Sequence, residues 1–193
     1  MNNNMEELFG YIKKFGILNE NEQHLIAGGI QEMMIQKGEI FVEAGKTSQK
    51  IAFVKEGVFR SLYYNKQGDD FTRYFIYEGR FIGDFQGFAD QIPSNEYIEA
   101  ITDGVLLTID FDFFKIIEKE VLVWPVLIAK AHAFVAENKL KVASTMLNLD
   151  AKSRYLHFLS HYPGLANRVP QSMLASYLGI TPSSFSRIRK NIV

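Results

Sequence analysis

The residues best suited to contact another molecule lie near the carboxyl end of the chain. Hydroxyl and cationic side chains follow one another there: Thr181, Ser183, Ser184, Ser186, Arg187, Arg189 and Lys190. Short hydroxyl groups donate hydrogen bonds to phosphate oxygens and base edges, and a guanidinium can pair with guanine through two hydrogen bonds. We therefore expect these seven residues to form a surface that binds nucleic acid.

The spacing within Gln171–Lys190 predicts a helix-turn-helix that would position this surface. Ala175 falls where the second helix must cross the first, and Gly179 falls at the turn, where a positive φ penalises other residues. Thr181 can cap the second helix, and Pro182 suits its first turn. Apolar residues occupy the positions that would face inward: Leu174, Ile180, Phe185 and Ile188. The alternative is an ordinary helical hairpin that closes the domain.

Charge is unevenly distributed along the chain. The 193 residues include 21 Lys and Arg and 22 Asp and Glu, for a net charge of −1. Residues 149–193 contain six of the basic residues and one acidic residue, so this segment carries +5 and the rest carries −6. A basic end on an acidic body indicates a local site for a polyanion, although a chance surplus on a short segment is the alternative.

The positions of the histidines and the absence of cysteine argue against several kinds of metal, redox and catalytic site. Without Cys, the chain forms no disulfides, thiolate-held iron–sulfur clusters or catalytic thiols. The histidines are His24, His132, His157 and His161, and none falls in the β-rich region, which argues against a cupin-type metal enzyme and against haem ligation there. His157 and His161 could share a metal, but no third ligand is near in the sequence. We expect no enzyme activity, catalytic residue, metal or cofactor.

No segment resembles a membrane span or a secretory leader. No stretch approaches the ~18 apolar residues that a spanning helix needs, and Met1–Leu8 is rich in Asn and Glu. We expect a soluble cytoplasmic protein with no membrane partner.

The sequence as far as Ile109 predicts short helices followed by a β structure. Helical spacing runs to about Gln31, with Asn19 or Asn21 as a cap. Glycines then recur every 7 to 12 residues between β-rich runs: Ile40–Val42, Ile51–Val54, Val58–Tyr64, Phe71–Ile76, Tyr97–Thr102 and Val105–Ile109. Short strands at that spacing predict an antiparallel sandwich or barrel, and Asn65–Gly68 predicts a hairpin turn.

Two further helices are predicted after the strands, over Phe113–Lys119 and from Trp124 to Asn148. Two series with heptad spacing run along the second helix and its flanks: the apolar Val121, Ile128, Val135, Val142 and Leu149, and, three residues further on, Trp124, Ala131, Asn138 and Thr145. This pattern favours the seam of a two-helix coiled coil, with Asn138 fixing its register. Another stripe would cover the helix's own domain: Leu127, Phe134, Met146 and Leu147. A single amphipathic helix buried on one side is the alternative.

Three sequence segments resemble the CRP/FNR family of bacterial regulators: Lys37–Gly45, Phe53–Gly57 and Gly79–Phe85. The resemblance runs from about residue 5 to the C-terminus and implies an α+β fold with three parts. These are an N-terminal antiparallel double-stranded β-roll of the cyclic-nucleotide-binding type (1–120), a long dimerisation helix (121–148) and an all-α helix-turn-helix domain (149–193). The ending Ser186–Lys190 is similar to that of regulators from the Bacteroidetes group.

The resemblance implies a homodimeric transcription regulator that binds a palindromic site on double-stranded DNA. Arg187 matches the recognition-helix arginine of the family, and RNA polymerase is the further partner that the family implies. An effector in the roll would reorient the DNA-binding helices across a hinge near Leu149 and Asp150. The alternative is a ligand-binding or interaction module whose helix-turn-helix has lost DNA binding.

The predicted effector site departs from the cyclic-AMP-binding pattern of the family. Its candidate residues are Gly83, Asp84, Phe85, Ser94, Asn95, Lys139 and Leu140. Ser94 and Asn95 stand where cyclic-AMP-binding members carry Arg-Ser, and loss of that arginine removes the main charge-assisted contact to a phosphate. The sequence therefore argues against cyclic AMP. Two alternatives stay open. One is another small-molecule effector, which Arg60, Arg73 or Arg80 would bind as cations if it is an anion. The other is a roll without a ligand.

Overall fold

The computed structural model describes residues 3–192, without the side chains of residues 3 and 4. The ends of the predicted segments 1–120 and 149–193 lie outside the described residues. The same holds for the beginning of Met1–Leu8, where no secretory leader was predicted. The described helices are α1 Asn3–Ile12, α2 Glu20–Gly29, α3 Phe85–Asp90, α4 Phe111–Glu120, α5 Trp124–Leu147, α6 Ala151–His161, α7 Gln171–Leu178 and α8 Pro182–Lys190, with a short 3-10 turn at Leu165–Asn167. The described strands are β1 Gln31–Ile35, β2 Ile40–Val42, β3 Lys50–Glu56, β4 Val58–Tyr64, β5 Asp70–Tyr77, β6 Phe81–Ile82, β7 Tyr97–Ala100 and β8 Gly104–Asp110.

The strands form two four-stranded antiparallel sheets that pack face to face as a β-roll. One sheet has the order β1-β8-β3-β6 and the other β2-β7-β4-β5. Because side chains alternate between the faces of a strand, each sheet sends an apolar row into the space between them. These buried residues form the core of the roll: Ile35, Val42, Ala52, Val54, Phe59, Ile76, Ile82, Ile98, Ala100 and Leu106. The α+β fold class and the antiparallel roll are confirmed.

Local signals located most elements correctly. Asn19 caps α2 in a capping box with Glu22, and Gly68 has a φ of 88° in the β4–β5 turn. Strands β1 and β6 and helix α3 were not predicted from the sequence. The first four residues of β1 are not buried, so it lacks apolar alternation, while β6 and α3 have two and six residues and are too short for periodicity to be visible.

Helices cover the outer face of the first sheet. Its outward apolar residues pack with α1, α2, α4 and the first half of α5 in one cluster, which includes Leu8, Ile26, Ile51, Phe53, Leu107, Ile109, Phe114, Ile117, Val121, Trp124 and Leu127. Ile128 and Ala131 also pack against this cluster. The beginning of α5 is therefore held to the roll of its own chain.

This packing corrects the predicted dimer seam. Val121 and Trp124 are fully buried in the protomer, and Met146, placed on the stripe facing the helix's own domain, does pack against the C-terminal helices. Leu147, placed on that same stripe, is 82% exposed. The predicted seam was wrong at its amino-terminal end because a stripe with a 3.5-residue period serves a helix that packs on its own domain equally well.

The opposite face of α5 carries an apolar heptad series that the sequence analysis did not single out. Its members follow one another at alternating steps of three and four residues and are all exposed: Val126, Ala129, Ala133, Ala136, Leu140, Ala143 and Leu147. We call this series the exposed α5 stripe. At 1.5 Å per residue, α5 is about 36 Å long, so the stripe extends along nearly the whole helix.

Helices α6 to α8 cover the outer face of β4 and β5. Val58 and Phe75 from these strands share one buried cluster with the C-terminal helices, which contribute Tyr155, Phe158, Leu174, Ala175, Leu178 and Phe185. The helix-turn-helix therefore packs directly on the roll.

Candidate nucleic-acid interface

Helices α7 and α8 form the predicted helix-turn-helix. Gly179 ends α7 with a φ of 68° and ψ of 35°, and the N–H of Ile180 donates to the carbonyl of Ala175 at 3.0 Å. Ala175 is fully buried where the helices cross, and Phe185 packs edge-on against Tyr155 with ring centroids 5.0 Å apart. The residues that the spacing assigned to the interior are buried or half-buried.

The start of α8 is fixed by its own side chains. Thr181 Oγ1 accepts from the backbone N–H of Ser184 at 3.2 Å and lies 3.0 Å from the hydroxyl groups of both Ser183 and Ser184. Pro182 occupies the first turn, as predicted. The cap leaves the positive end of the helix dipole at an exposed surface, which is a favourable position for a phosphate.

The seven residues predicted to contact nucleic acid all lie on or next to α8. Thr181, Ser183, Arg187 and Lys190 are exposed, whereas Ser184, Ser186 and Arg189 are half-buried. Three of the four α8 residues closest to its carboxyl end are basic. The structure therefore brings short hydroxyl groups and guanidinium groups together on one exposed helix, and their contact with DNA remains a prediction.

Two of the six basic residues that gave the C-terminal segment its positive charge bind protein groups instead. Arg154 donates from Nε to the carbonyl of Leu149 and from Nη1 to that of Leu178, both at 2.9 Å. Arg168 pairs with Glu78 of the roll. Arg154 thereby ties the end of the long helix to the turn of the helix-turn-helix, a positioning contact that the charge count alone did not reveal.

Polar contacts also hold the helix-turn-helix to the roll. Arg168 donates from Nη1 and Nη2 to the two carboxylate oxygens of Glu78 at 2.8 and 2.6 Å. Ser176 Oγ accepts from the backbone N–H of Thr72 at 2.9 Å. These contacts supplement the shared apolar cluster, so the position of α8 depends on the outer face of β5.

At the candidate effector site, the first three residues build the start of α3. Gly83 has a φ of 146°, and a Cβ there would lie 3.1 Å from the side chain of Ile51. Asp84 caps α3 by accepting from the backbone N–H of Gly87 at 3.0 Å, and the ring of Phe85 contacts that of His132. The shortened carboxylate of Asp84 therefore has a structural role already.

Neither Ser94 nor Asn95 replaces the guanidinium that cyclic-AMP-binding members carry at this place. Ser94 is buried, and its hydroxyl group lies 3.2 Å from the backbone carbonyl and N–H of Glu96, while Asn95 is exposed. Lys139 reaches the roll, with its Nζ 3.8 Å from the ring centroid of Tyr74. Leu140 instead lies on the exposed α5 stripe, so it does not meet the other candidates within its own protomer.

The three candidate arginines, Arg60 and Arg73 on strands and Arg80 in the turn before β6, already have partners. The buried Arg60 donates to Glu99 at 2.8 Å and also pairs with Asp70. Arg73 pairs with Glu96 at 3.2 Å, and the guanidinium of Arg80 lies 3.4 Å from the ring centroid of Tyr77. Arg60 is only 6% exposed and is therefore not a solvated surface residue.

The described residues hold no group of three or more metal-ligating side chains. His157 and His161 stack with ring centroids 4.8 Å apart, and burial together with the neighbouring His161 lowers the pKa of His157. Among the same described residues, no helix combines the length and apolar character needed to cross a membrane.

Comparison with known proteins agrees with this architecture. Residues 32–120 match the family model described as the cyclic nucleotide-binding domain, and the solved structures with a similar fold include a protein assigned to the Crp/Fnr family. The chain has the CRP/FNR-type fold. No curated protein sequence matches it significantly.

Three solved structures with this CRP/FNR-type fold illustrate the similarity. FixK2 from Bradyrhizobium japonicum is 19% identical with a TM-score of 0.69, and the match covers 84% of each chain. CLP from Xanthomonas campestris, a global regulator that responds to c-di-GMP, is 15% identical with the same TM-score over 90% of this chain and 91% of that one. A protein from Eubacterium rectale assigned to the Crp/Fnr family is 18% identical, again with a TM-score of 0.69, over 90% and 83%.

Proposed function

We propose that the chain is a homodimeric DNA-binding transcription regulator that reads a palindromic site. The main support for this proposal comes from α8. This helix presents Ser183, Arg187 and Lys190 on an exposed surface, while the buried Phe185 anchors its inner face. A recognition helix in the major groove needs this division between a buried and a polar face. Contact with RNA polymerase rests on the family resemblance.

The exposed α5 stripe supports a second copy of the chain as the dimer partner. Alternating steps of three and four residues are the spacing that two supercoiled helices bury against each other. Four of its seven members are Ala, so the two helices could approach closely. Parallel α5 helices would place two copies of α8 on one side of the dimer, suited to half-sites about 34 Å apart along DNA.

The first test is selection of binding duplexes from a random DNA pool by the full chain, followed by gel shifts. Arg187→Ala should weaken specific binding by about 1–3 kcal/mol and relax the base preference at one position of each half-site. Lys13→Ala removes one positive charge from an exposed position in the loop after α1 and should leave the affinity unchanged.

Equal losses in Arg187→Ala and Lys13→Ala would show that DNA is attracted by general charge and not read by α8. Failure to enrich any duplex would reject DNA binding, and the chain would then be an interaction module with an inactive helix-turn-helix.

A further inference from the structure

Several hydrogen-bond donors of the roll converge on one carboxylate. Glu96 lies just before β7, and its side chain is only 13% exposed. Its oxygens accept from Tyr74 Oη at 3.0 and 3.1 Å, from Arg73 Nη1 at 3.2 Å and from Ser61 Oγ. The donors come from β4 and β5, so the sheet itself builds this cluster.

Lys139 adds a second cation from the long helix. Lys139 belongs to an exposed part of α5, but its ammonium end lies over the ring of Tyr74. Burial lowers the pKa of Lys139, while attraction to Glu96 opposes that effect. Burial and the neighbouring Glu96 raise the pKa of Tyr74 well above its usual value, so its hydroxyl group stays protonated and able to donate.

This donor set is the kind that binds an anion. Two cations and two hydroxyl groups from separate elements surround a position next to Ser94 and Asn95, where charge-assisted hydrogen bonds to a phosphate or carboxylate would be strong. The group that occupies the position is a carboxylate of the chain itself. Because Glu96 accepts from three of the four donors, few hydrogen bonds are left for a ligand.

We propose that Glu96 is an internal anion that fills an anion-binding site of the roll and excludes phosphate-bearing ligands from it. This proposal concerns the effector of the regulator, so its biological meaning rests on the proposed function. Whether the chain binds DNA does not affect the test below.

The test compares phosphate binding before and after the carboxylate is removed. Glu96→Ser leaves Arg73, Lys139, Ser61 and Tyr74 around an open position, so its thermal midpoint should rise with phosphate concentration as a ligand-linked equilibrium requires. The wild-type chain should show no saturable rise with phosphate or with cyclic AMP. We expect the variant to bind phosphate at least about tenfold more tightly than the wild type does.

Matched variants separate site binding from general salt effects. Phosphate stabilises many proteins non-specifically, and Glu118→Ser, which removes an exposed helix carboxylate paired with Lys115, measures that background. Adding Arg73→Gln to Glu96→Ser should remove the gain. If Glu96→Ser does not fold, Glu96→Ala also empties the position, and equilibrium dialysis should show tighter phosphate binding than the wild type.

A saturable wild-type response that depends on Arg73 would overturn the proposal, because it would show that the site is open. A folded Glu96 variant that responds to phosphate no more than Glu118→Ser would overturn it equally.

Discussion

The contact between Arg168 and Glu78 gives a sharp prediction, because it joins the helix-turn-helix domain to the roll across 90 residues of sequence. Both N–H···O distances are short, at 2.6 and 2.8 Å. Replacing Arg168 or Glu78 with Gln should lower the free energy of unfolding, and the two losses should not add. Glu78→Gln keeps an oxygen for the N–H of Gly57, which donates to Glu78 Oε1 at 2.8 Å, so the change mainly removes the charge.

The magnitude follows from the exposure of the pair. The side chains of Arg168 and Glu78 are 41% and 32% exposed, so water screens their attraction, and exposed ion pairs contribute about 0.2–1 kcal/mol. The two-bond geometry places this pair at the upper end of that range. We expect a coupling free energy of about 1 kcal/mol in a double-mutant cycle.

The assay is urea unfolding of the wild type, both single variants and the double variant at one protein concentration, since a dimer's apparent stability depends on concentration. The exposed pair Lys115 and Glu118 within α4, at 2.7 Å, is the control and should give a coupling of only about 0.2–0.5 kcal/mol. A coupling between Arg168 and Glu78 no larger than in the control would refute the reasoning.

The coupling should also depend on pH. Burial alone would raise the pKa of Glu78, but the hydrogen bonds from Arg168 and from the backbone N–H of Gly57 lower it below the usual value. A carboxyl group whose pKa is lowered by folding adds stability that is present above its unfolded pKa and is lost as the pH falls through its folded pKa. The coupling free energy between Arg168 and Glu78 should therefore be present at pH 7 and decline below about pH 4.5, the ordinary pKa of a glutamate. A coupling that persists after Glu78 is protonated would contradict an electrostatic origin.

Three further predictions concern the dimer, the turn and the interior. Leu140→Glu on the exposed α5 stripe should give monomers in sedimentation, whereas Val135→Glu, off the stripe, should leave dimers; the reverse result would restore the sequence-predicted seam. Gly179→Ala should destabilise the chain by about 1–2 kcal/mol because of its positive φ, whereas Gly28→Ala, where a Cβ meets nothing within 4 Å in helix α2, should be neutral or stabilising in thermal unfolding. Phe185→Ala should cost about 3–5 kcal/mol of unfolding free energy; a loss below ~1 kcal/mol would mean that α8 is not anchored by this ring.

Helix α5 illustrates what residue spacing leaves undecided. Its heptad-spaced residues were visible in the sequence, but two such series lie on opposite faces of the helix. The structure buries Val121 and Trp124, the amino-terminal members of one series, in the chain's own core but leaves Val135 of that series 38% exposed. The series with Leu140 is exposed along its whole length. Spacing cannot distinguish an intramolecular partner from an intermolecular one, because both bury a stripe of the same period.

The sequence by itself determined the helix-turn-helix and its exposed basic face. The constraints that define this motif act within about twenty residues, so a glycine with positive φ, a small crossing residue and a cap are visible as residue types at fixed positions. It likewise located six of the eight described strands and the antiparallel roll, because glycine turns and apolar alternation are local signals.

Only the tertiary structure decided what the charged residues of the roll and of the hinge do. Glu96 accepts from donors of β4 and β5, Arg168 meets a carboxylate 90 residues earlier, and Arg154 binds two carbonyl groups at helix ends. Apart from the bond between Arg154 and Leu149, these contacts join segments that are separate in the sequence, and the free energy of a charged group depends on the partners and the solvent around it. Residue type and spacing reveal neither the partners nor the solvent exposure of a side chain. In the sequence, therefore, an arginine predicted to attract DNA looks the same as one that holds two helices together.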